Sequence, residues 1–129
     1  MALHTVAGIQ HIGIPTDRLE QTIRFYEALG FARRLETEVP QTGAQVCFLQ
    51  LADLVLEVYE TDAPAGRDGA VDHICLGVSD IEQTWREVQS MGLPVVEEKI
   101  QQLPFWENGI RYFNLRGVNQ EKIEFCQIL

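Results

Sequence analysis

The sequence predicts an α+β protein made of two tandem βαβββ modules. The main evidence is an internal repeat, because residues 71–93 align without a gap on residues 9–31 when shifted by 62 positions. This shift places His73 on His11. In both copies a short strand-like segment precedes an apolar stripe with helical spacing, which indicates one supersecondary unit present twice. At 129 residues the chain is the size of one domain.

The composition disfavours several classes of protein. Hydrophobic residues make up 46% and charged residues 22%, which is typical of soluble globular proteins and argues against disorder. The net charge of −9 disfavours nucleic acid and anionic membranes as partners, because phosphate binding needs basic clusters. No segment predicts a signal peptide or a membrane span. The three cysteines are scattered, so we expect reduced thiols in a cytoplasmic protein.

The first module, about residues 8–60, begins with a predicted strand at residues 9–14, where β-branched residues alternate with others. Asp17 and Glu20 form a capping-box pattern before an apolar stripe, so a helix is expected to follow. Gly30 ends this helix, since glycine takes the left-handed C-cap conformation readily. Three further strands follow, at residues 31–38, 46–51 and 54–60.

A linker rich in Pro, Gly and Asp at residues 61–69 separates the modules. The second module, about residues 70–129, repeats the pattern with a strand at 71–78 and a helix that ends at Gly92. Ser79 and Glu82 occupy the same capping-box positions as in the first copy. The remaining segments are predicted as a strand at 93–98, a loop at 99–108, and a closing hairpin of strands at 110–115 and 121–128.

Each module carries one histidine and one glutamate opposite an apolar strand face. Successive strand residues point to opposite faces, so His11 opposes Ile12 and Ile14, and Glu57 opposes its apolar neighbours. In the second module His73 does the same, and Glu124 opposes Ile123, Phe125 and Ile128. Imidazole and carboxylate are ligands for Zn²⁺, Ni²⁺, Co²⁺, Fe²⁺ or Mn²⁺. We therefore predict a metal site made of His11, Glu57, His73 and Glu124.

The chain resembles the vicinal oxygen chelate superfamily, which includes the glyoxalase, bleomycin-resistance and dioxygenase proteins. The resemblance lies in the segments HIGI and FYEALGF, then VDHICLGVSD, and finally YFNLRGVNQEKIEF. It implies two βαβββ modules whose curved mixed sheets surround a metal-binding cleft. It also implies that His11, Glu57, His73 and Glu124 occupy the four ligand positions. In having a glutamate at the second ligand position, the chain is similar to glyoxalase I.

The resemblance to glyoxalase I implies a metal-dependent lyase or isomerase, similar to lactoylglutathione lyase. It would act through an enediolate on a small α-hydroxycarbonyl or hemithioacetal, with Glu124 moving the proton and Glu57 as its partner. We expect a homodimer. The alternatives to a lyase or isomerase are a metal-free binding protein of the bleomycin-resistance type and an iron-dependent dioxygenase of the same superfamily.

Several other residues have two interpretations each. Cys75 and Cys126 follow a predicted ligand by two positions, so they share its face; we interpret them as lining or packing residues, with soft metal ligation as the alternative. Phe105 and Trp106 either line the cleft or pack on the sheet. Arg33 and Arg34 are surface arginines, or they bind a substrate carboxylate. For the last four residues the sequence leaves both possibilities open.

Overall fold

A computed structural model describes residues 4–5, 10–69, 71 and 73–129 of the chain. The chain divides into two compact units, Met1–Pro64 and Ala65–Leu129, which we call the first and second modules. The boundary lies inside the segment at residues 61–69. In the part of the chain that is described, no helix is both long enough and apolar enough to cross a membrane.

Each module has the element order βαβββ, so the predicted α+β class and the two repeated modules are confirmed. The first module contains β1 (Ile12–Thr16), α1 (Leu19–Ala28), β2 (Ala32–Glu38), β3 (Gln45–Leu51) and β4 (Leu54–Glu60). The second contains β5 (His73–Gly77), α2 (Ile81–Ser90), β6 (Gln101–Leu103), β7 (Ile110–Arg116) and β8 (Lys122–Ile128). The beginning of the strand predicted at 9–14 includes Ile9, which lies outside the described residues.

The strand order explains how distant residues meet within a module. The first sheet has the order β1-β4-β3-β2 and the second has the order β5-β8-β7-β6. The first strand of each module pairs in parallel with the last, and the other pairs are antiparallel. A histidine near the start of the first strand therefore lies beside a glutamate in the middle of the last strand.

The sheet face opposite the histidine and the glutamate packs against the helix and forms the core of its module. Helix α1 contacts β3 and β4, and helix α2 contacts β8. The buried side chains come from the apolar stripes of the helices and from the apolar faces of the strands. In the first module they include Ile23, Phe25, Tyr26, Leu49, Leu56 and Val58; in the second they include Ile81, Val88, Phe113, Leu115, Ile123 and Phe125.

The capping box predicted at Asp17 and Glu20 is wrong. The residue before α1 is Arg18, whose side chain makes no capping hydrogen bond. Instead Thr16 Oγ1, which is buried, accepts a hydrogen bond from Arg18 N at 2.9 Å and lies 3.0 Å from Thr22 Oγ1. The hydroxyl at the end of β1 thus satisfies a backbone donor at the turn into the helix, where we had assigned a carboxylate.

The capping box predicted at Ser79 and Glu82 is displaced by one residue. Asp80 is the N-cap of α2, and its Oδ1 accepts a hydrogen bond from Gln83 N at 3.0 Å. The short Asp side chain reaches the third helical amide from the capping position, which is the geometry that favours this residue type. The two helices therefore begin with different chemistry at aligned positions.

Both helices end as the glycines predicted. Gly30 has φ +106° and Gly92 has φ +68°, a region that side-chain-bearing residues rarely adopt. After α1, Gly30 N donates to Glu27 O and Phe31 N donates to Tyr26 O, which is the Schellman pattern. The equivalent pair of hydrogen bonds closes α2.

The outer strand of the second sheet differs from the prediction. We predicted a strand at residues 93–98 and a loop at 99–108, whereas β6 lies inside that loop. Val95 makes only an isolated bridge to β7. Beyond it, Glu97 Oε2 accepts a hydrogen bond from Asn114 N at 2.7 Å and Glu97 Oε1 accepts one from Asn114 Nδ2 at 2.6 Å. Because a side chain takes the place of a strand carbonyl, the ladder breaks here and resumes at β6.

The position predicted for Ile128 is also wrong. Ile128 is exposed and does not oppose Glu124. The two residues are an even number apart on β8, so they lie on the same face. The intervening Gln127 instead points toward the helix, and its Oε1 accepts a hydrogen bond from Ile81 N at 2.9 Å.

Candidate metal-binding residues

The first module brings His11 beside Glu57. His11 immediately precedes β1, and Gly13 on that strand is the register partner of Glu57 on β4. As a result His11 Nε2 lies 3.8 Å from Glu57 Oε2. Both side chains are about one-third exposed, at 35% and 30%. The pair is therefore accessible to a small ligand.

Two neighbours orient the His11 ring. Its Nδ1 is hydrogen-bonded to Gln10 Oε1, which can only accept, so Nδ1 carries the hydrogen in this contact. The ring also meets Phe48 edge-on, with centroids 5.6 Å apart and planes at 89°. With Nδ1 engaged by Gln10, Nε2 is the ring nitrogen that lies toward Glu57 and is open to a metal ion.

The second module brings His73 beside Glu124 in the same way. His73 Nε2 lies 3.4 Å from Glu124 Oε2. The side chain of Glu124 is 18% exposed, against 30% for Glu57, so the second carboxylate is the more sheltered of the two. The structure thus places each predicted histidine next to the predicted glutamate of its own module.

The two pairs fit the donor chemistry of a divalent ion. Neighbouring ligands on metal–ligand bonds of about 2.1 Å lie roughly 3.0 Å apart in octahedral geometry and 3.4 Å apart in tetrahedral geometry. The observed separations of 3.8 Å and 3.4 Å need only small side-chain rotations to reach these values. Each pair also combines a neutral imidazole with an acidic ligand, a mixture suited to Zn²⁺, Mn²⁺ and Fe²⁺.

Cys75 and Cys126 gather around Glu124 on the same face. Cys75 is the register partner of Glu124, and its thiol donates a hydrogen bond to Glu124 Oε1 at 3.3 Å. One ligand atom from each of Cys75, Glu124 and Cys126 lies within 4.8 Å of the other two. Burial raises the pKa of the Cys75 thiol, and hydrogen bonding with Cys126 and Glu124 raises it further.

Sequence reasoning missed two residues beside the predicted ligands. Phe48 is the register partner of Glu57, and Asn114 is the register partner of Glu124. Asn114 is buried, and its Oδ1 has no hydrogen-bond partner among the described residues. Positions paired across a hairpin share a face, so counting outward from each hairpin turn would have found both residues.

The structure also decides between the interpretations of Arg33. Its guanidinium pairs with three carboxylates, at 2.9 Å from Glu20, 3.2 Å from Glu27 and 2.9 Å from Glu36. These hydrogen bonds raise its pKa above the ordinary arginine value. Arg33 therefore belongs to a surface ion-pair network, as its simpler interpretation held. Arg34 is exposed on β2.

Phe105 and Trp106 are both exposed, so packing against the sheet does not describe them. Their rings contact each other, with centroids 6.2 Å apart. Trp106 has φ +60°, which places the backbone of this residue in the left-handed region. The two aromatic side chains form an exposed pair on the loop between β6 and β7.

Comparison with known proteins gives a consistent family and fold. A family model described as Glyoxalase/Bleomycin resistance protein/Dioxygenase superfamily matches residues 10–112. The uncharacterized protein YwbC of Bacillus subtilis (strain 168) is 31% identical over 127 residues, which cover 92% of this chain and 96% of that protein.

Solved structures share the fold at lower identity. A glyoxalase family protein from Enterococcus faecalis superposes with a TM-score of 0.78 at 21% identity, covering 93% of this chain and 97% of that one. The fosfomycin resistance protein FosX from Listeria monocytogenes, complexed with Mn(II) and sulfate ion, gives 0.74 at 13% identity, covering 97% and 95%. Together with the family match these findings confirm the resemblance, and the chain belongs to the glyoxalase, bleomycin-resistance and dioxygenase superfamily, the vicinal oxygen chelate proteins.

Proposed function

We propose that the protein is a metal-dependent lyase or isomerase of the glyoxalase type, with His11, Glu57, His73 and Glu124 as ligands of one divalent ion. The observation that carries the proposal is the repeated His–Glu pair, because each module sets an imidazole Nε2 within 3.8 Å or less of a carboxylate oxygen. An isolated pair of this kind is common on protein surfaces. Its recurrence at equivalent strand positions is what favours a shared role.

The surroundings of the pairs support ligation. The Gln10 contact holds the His11 ring through Nδ1, and a residue behind a metal-bound histidine usually orients the ring in this way. Neither histidine needs to be charged to stay beside its glutamate, since a cation between them supplies the positive charge. The net charge of −9 also makes the chain a plausible host for a cation.

The proposed substrate class rests on the resemblance to glyoxalase I. The ion, when bound, supplies Lewis acidity to two adjacent oxygens of a small α-hydroxycarbonyl or hemithioacetal, which acidifies the C–H bond beside the carbonyl. Glu124 takes that proton and returns it to the neighbouring carbon, so the net reaction is an isomerisation. The Glu124 carboxyl remains 18% exposed, so protons that it holds exchange with solvent before they are returned. Glu57 is the carboxylate that acts together with Glu124.

The proposal also covers the state of the protein in the cell. We infer a homodimer in the cytoplasm, where thiols stay reduced. All three cysteines, Cys47, Cys75 and Cys126, are free, which supports a reducing compartment. Gel filtration with light scattering measures the oligomeric state directly.

The test is proton exchange by the metal-loaded protein in deuterated water. With methylglyoxal and a thiol as the source of hemithioacetal, we expect deuterium in the product of the wild-type reaction. Glu124→Gln should lower the rate by about 10²- to 10⁴-fold, the usual contribution of a general base, with the metal content close to wild type.

The matched control is Glu98→Gln, which removes an exposed carboxylate of the same module that is not one of the proposed ligands. This variant should react at the wild-type rate. If Glu124→Gln also exchanges protons at the wild-type rate, Glu124 is not the base. If the metal-loaded wild-type protein exchanges no proton at all, the glyoxalase-type activity itself is wrong.

A further inference from the structure

The second module carries a thiol cluster that the His–Glu pairs do not explain. Cys75 lies on β5, and Glu124 and Cys126 lie on β8, all on the face opposite the core. Ligand atoms of these three side chains lie within 4.8 Å of one another. Cys75 is exposed and Cys126 is half-buried, so solvent ions can reach the thiols.

The parallel register explains why these side chains meet. Cys75 pairs with Glu124, and Cys126 is two residues further along β8, opposite Gly77. The glycine leaves no side chain beside Cys126, and a Cβ added there would contact nothing within 4 Å. The diagonal neighbour Cys75 is therefore the closest partner that β5 offers to Cys126.

The spacing is close to that of ligands around one cation. For bonds of about 2.3 Å to sulfur, the edge of a coordination tetrahedron is roughly 3.8 Å long, and a mixed sulfur–oxygen edge is slightly shorter. The distance from Cys75 Sγ to Glu124 Oε1 is 3.3 Å. Small rotations about the side-chain bonds are enough to place all three atoms around one ion.

We propose that Cys75, Glu124 and Cys126 form a binding site for a soft, thiophilic divalent cation such as Zn²⁺ or Cd²⁺. Thiolate ligands select ions of this class over Mn²⁺ or Mg²⁺. On binding, each S–H bond breaks, its proton leaves to the buffer, and the sulfur electron pair forms the bond to the cation. No electron is transferred. Water completes the fourth position.

This site goes beyond the proposed function and needs neither His11 nor Glu57. It uses residues of one module only, whereas the proposed catalytic ion takes ligands from both. The two sites share Glu124, so an ion held by the thiols competes with the catalytic ion for that carboxylate. A soft cation is therefore expected to inhibit the glyoxalase-type activity.

The experiment is a titration of the reduced, metal-free full chain with Cd²⁺, followed by thiolate-to-cadmium charge-transfer absorption in the ultraviolet. We expect a band that saturates at one Cd²⁺ per chain. Cys75→Ser and Cys126→Ser should each weaken or abolish the band, with circular dichroism confirming that the variants are folded. Cys47→Ala is the matched control, because Cys47 is buried in the first module, and it should leave the band unchanged.

A second arm separates this proposal from the proposed function. His11→Ala removes a ligand of the proposed catalytic ion and should leave the Cd²⁺ band intact. The thiol-site proposal is overturned if wild-type protein gives no saturable band, if the band survives the double Cys75→Ser/Cys126→Ser change, or if it disappears in His11→Ala. As an independent readout, Zn²⁺ should protect Cys75 and Cys126 from alkylation.

Discussion

The two modules keep the same His–Glu pair but surround it with different side chains. In the first module Gly13 and Tyr59 occupy the positions that Cys75 and Cys126 occupy in the second. Gly13 is in ordinary contact distance of the ring, since a Cβ added there would lie 3.4 Å from Tyr59 Cε1. The duplicated backbone therefore preserves the position of the ligand pair, while the neighbouring positions have diverged toward an aromatic contact in one copy and a thiol cluster in the other.

The cores differ in a complementary way. In the first module the large aromatic side chains come from α1 and the turn after it, where Tyr26 contacts both Phe25 and Phe31 edge-on. In the second module they come chiefly from the sheet, where Phe113 lies against Phe125 with centroids 5.2 Å apart. Each module fills the space between helix and sheet, but from opposite sides.

The largest effect that this difference predicts is on stability. Phe113 is fully buried between Trp85 and Phe125, so Phe113→Ala should lower the free energy of unfolding by about 3–5 kcal/mol. The residue at the same register position in the first module is Cys47, which is also buried. Cys47→Ala removes one sulfur atom and should cost about 1 kcal/mol, close to the value for a buried methylene.

Urea unfolding of both variants measures these values. Equal losses would mean that the sheet aromatics do not dominate the core of the second module, and the proposed division between helix-derived and sheet-derived cores would be incorrect. A change in the slope of the unfolding curve as well as its midpoint would indicate that the two modules unfold separately.

The surface charges give a smaller contrast. Glu20 and Glu82 are aligned in the repeat, and each pairs with an arginine from a strand of its own module. Arg33 forms ion pairs with Glu20 and two further glutamates, whereas Arg111 lies 2.6 Å from Glu82. Removing Arg33 leaves several carboxylates close together, so its loss should lower stability more than the loss of Arg111.

We expect Arg33→Ala to lower Tm more than Arg111→Ala at neutral pH, with a modest effect in both because the groups are exposed. The hydrogen bond from Arg33 lowers the pKa of Glu20 below its ordinary value of 4.5. A lowered folded-state pKa stabilises the protein above the unfolded-state pKa, and this stabilisation disappears as the pH falls through the folded-state pKa. The Tm difference between wild type and Arg33→Ala should therefore shrink as the pH falls below 4.5. A difference that is constant or grows on acidification would contradict the assigned ion-pair network.

Much of the fold was predictable because the repeat contains two copies of each sequence pattern, and each copy supports the assignment of the other. The bounds of β4 and the glycine ends of both helices agree with the structure. The placement of each histidine beside a glutamate also follows from strand alternation, once the first and last strands of a module are paired. These features depend on short-range patterns that a sequence shows directly.

Two of the errors share one physical cause, which is that side chains accept hydrogen bonds from backbone amides. Thr16 accepts a hydrogen bond from Arg18 N at the start of α1, where the sequence predicts a cap by Asp17. Glu97 accepts from Asn114 N and interrupts the outer strand of the second sheet. The apolar periodicity of the chain carries no signal for either contact, because both depend on polar side chains. Alternation placed Cys75 and Cys126 on the face of the predicted ligands, but their approach to Glu124 depends on the register of two strands far apart in sequence.

The central claim is that the two His–Glu pairs hold a single ion. Mn²⁺ tests it most directly, because thiolates do not select this ion and the cysteine cluster does not interfere. Equilibrium dialysis of the full chain should give one Mn²⁺ per chain, and either His11→Ala or His73→Ala alone should abolish that binding. Two ions per chain, or a full equivalent retained by either single variant, would show that the pairs do not share a metal.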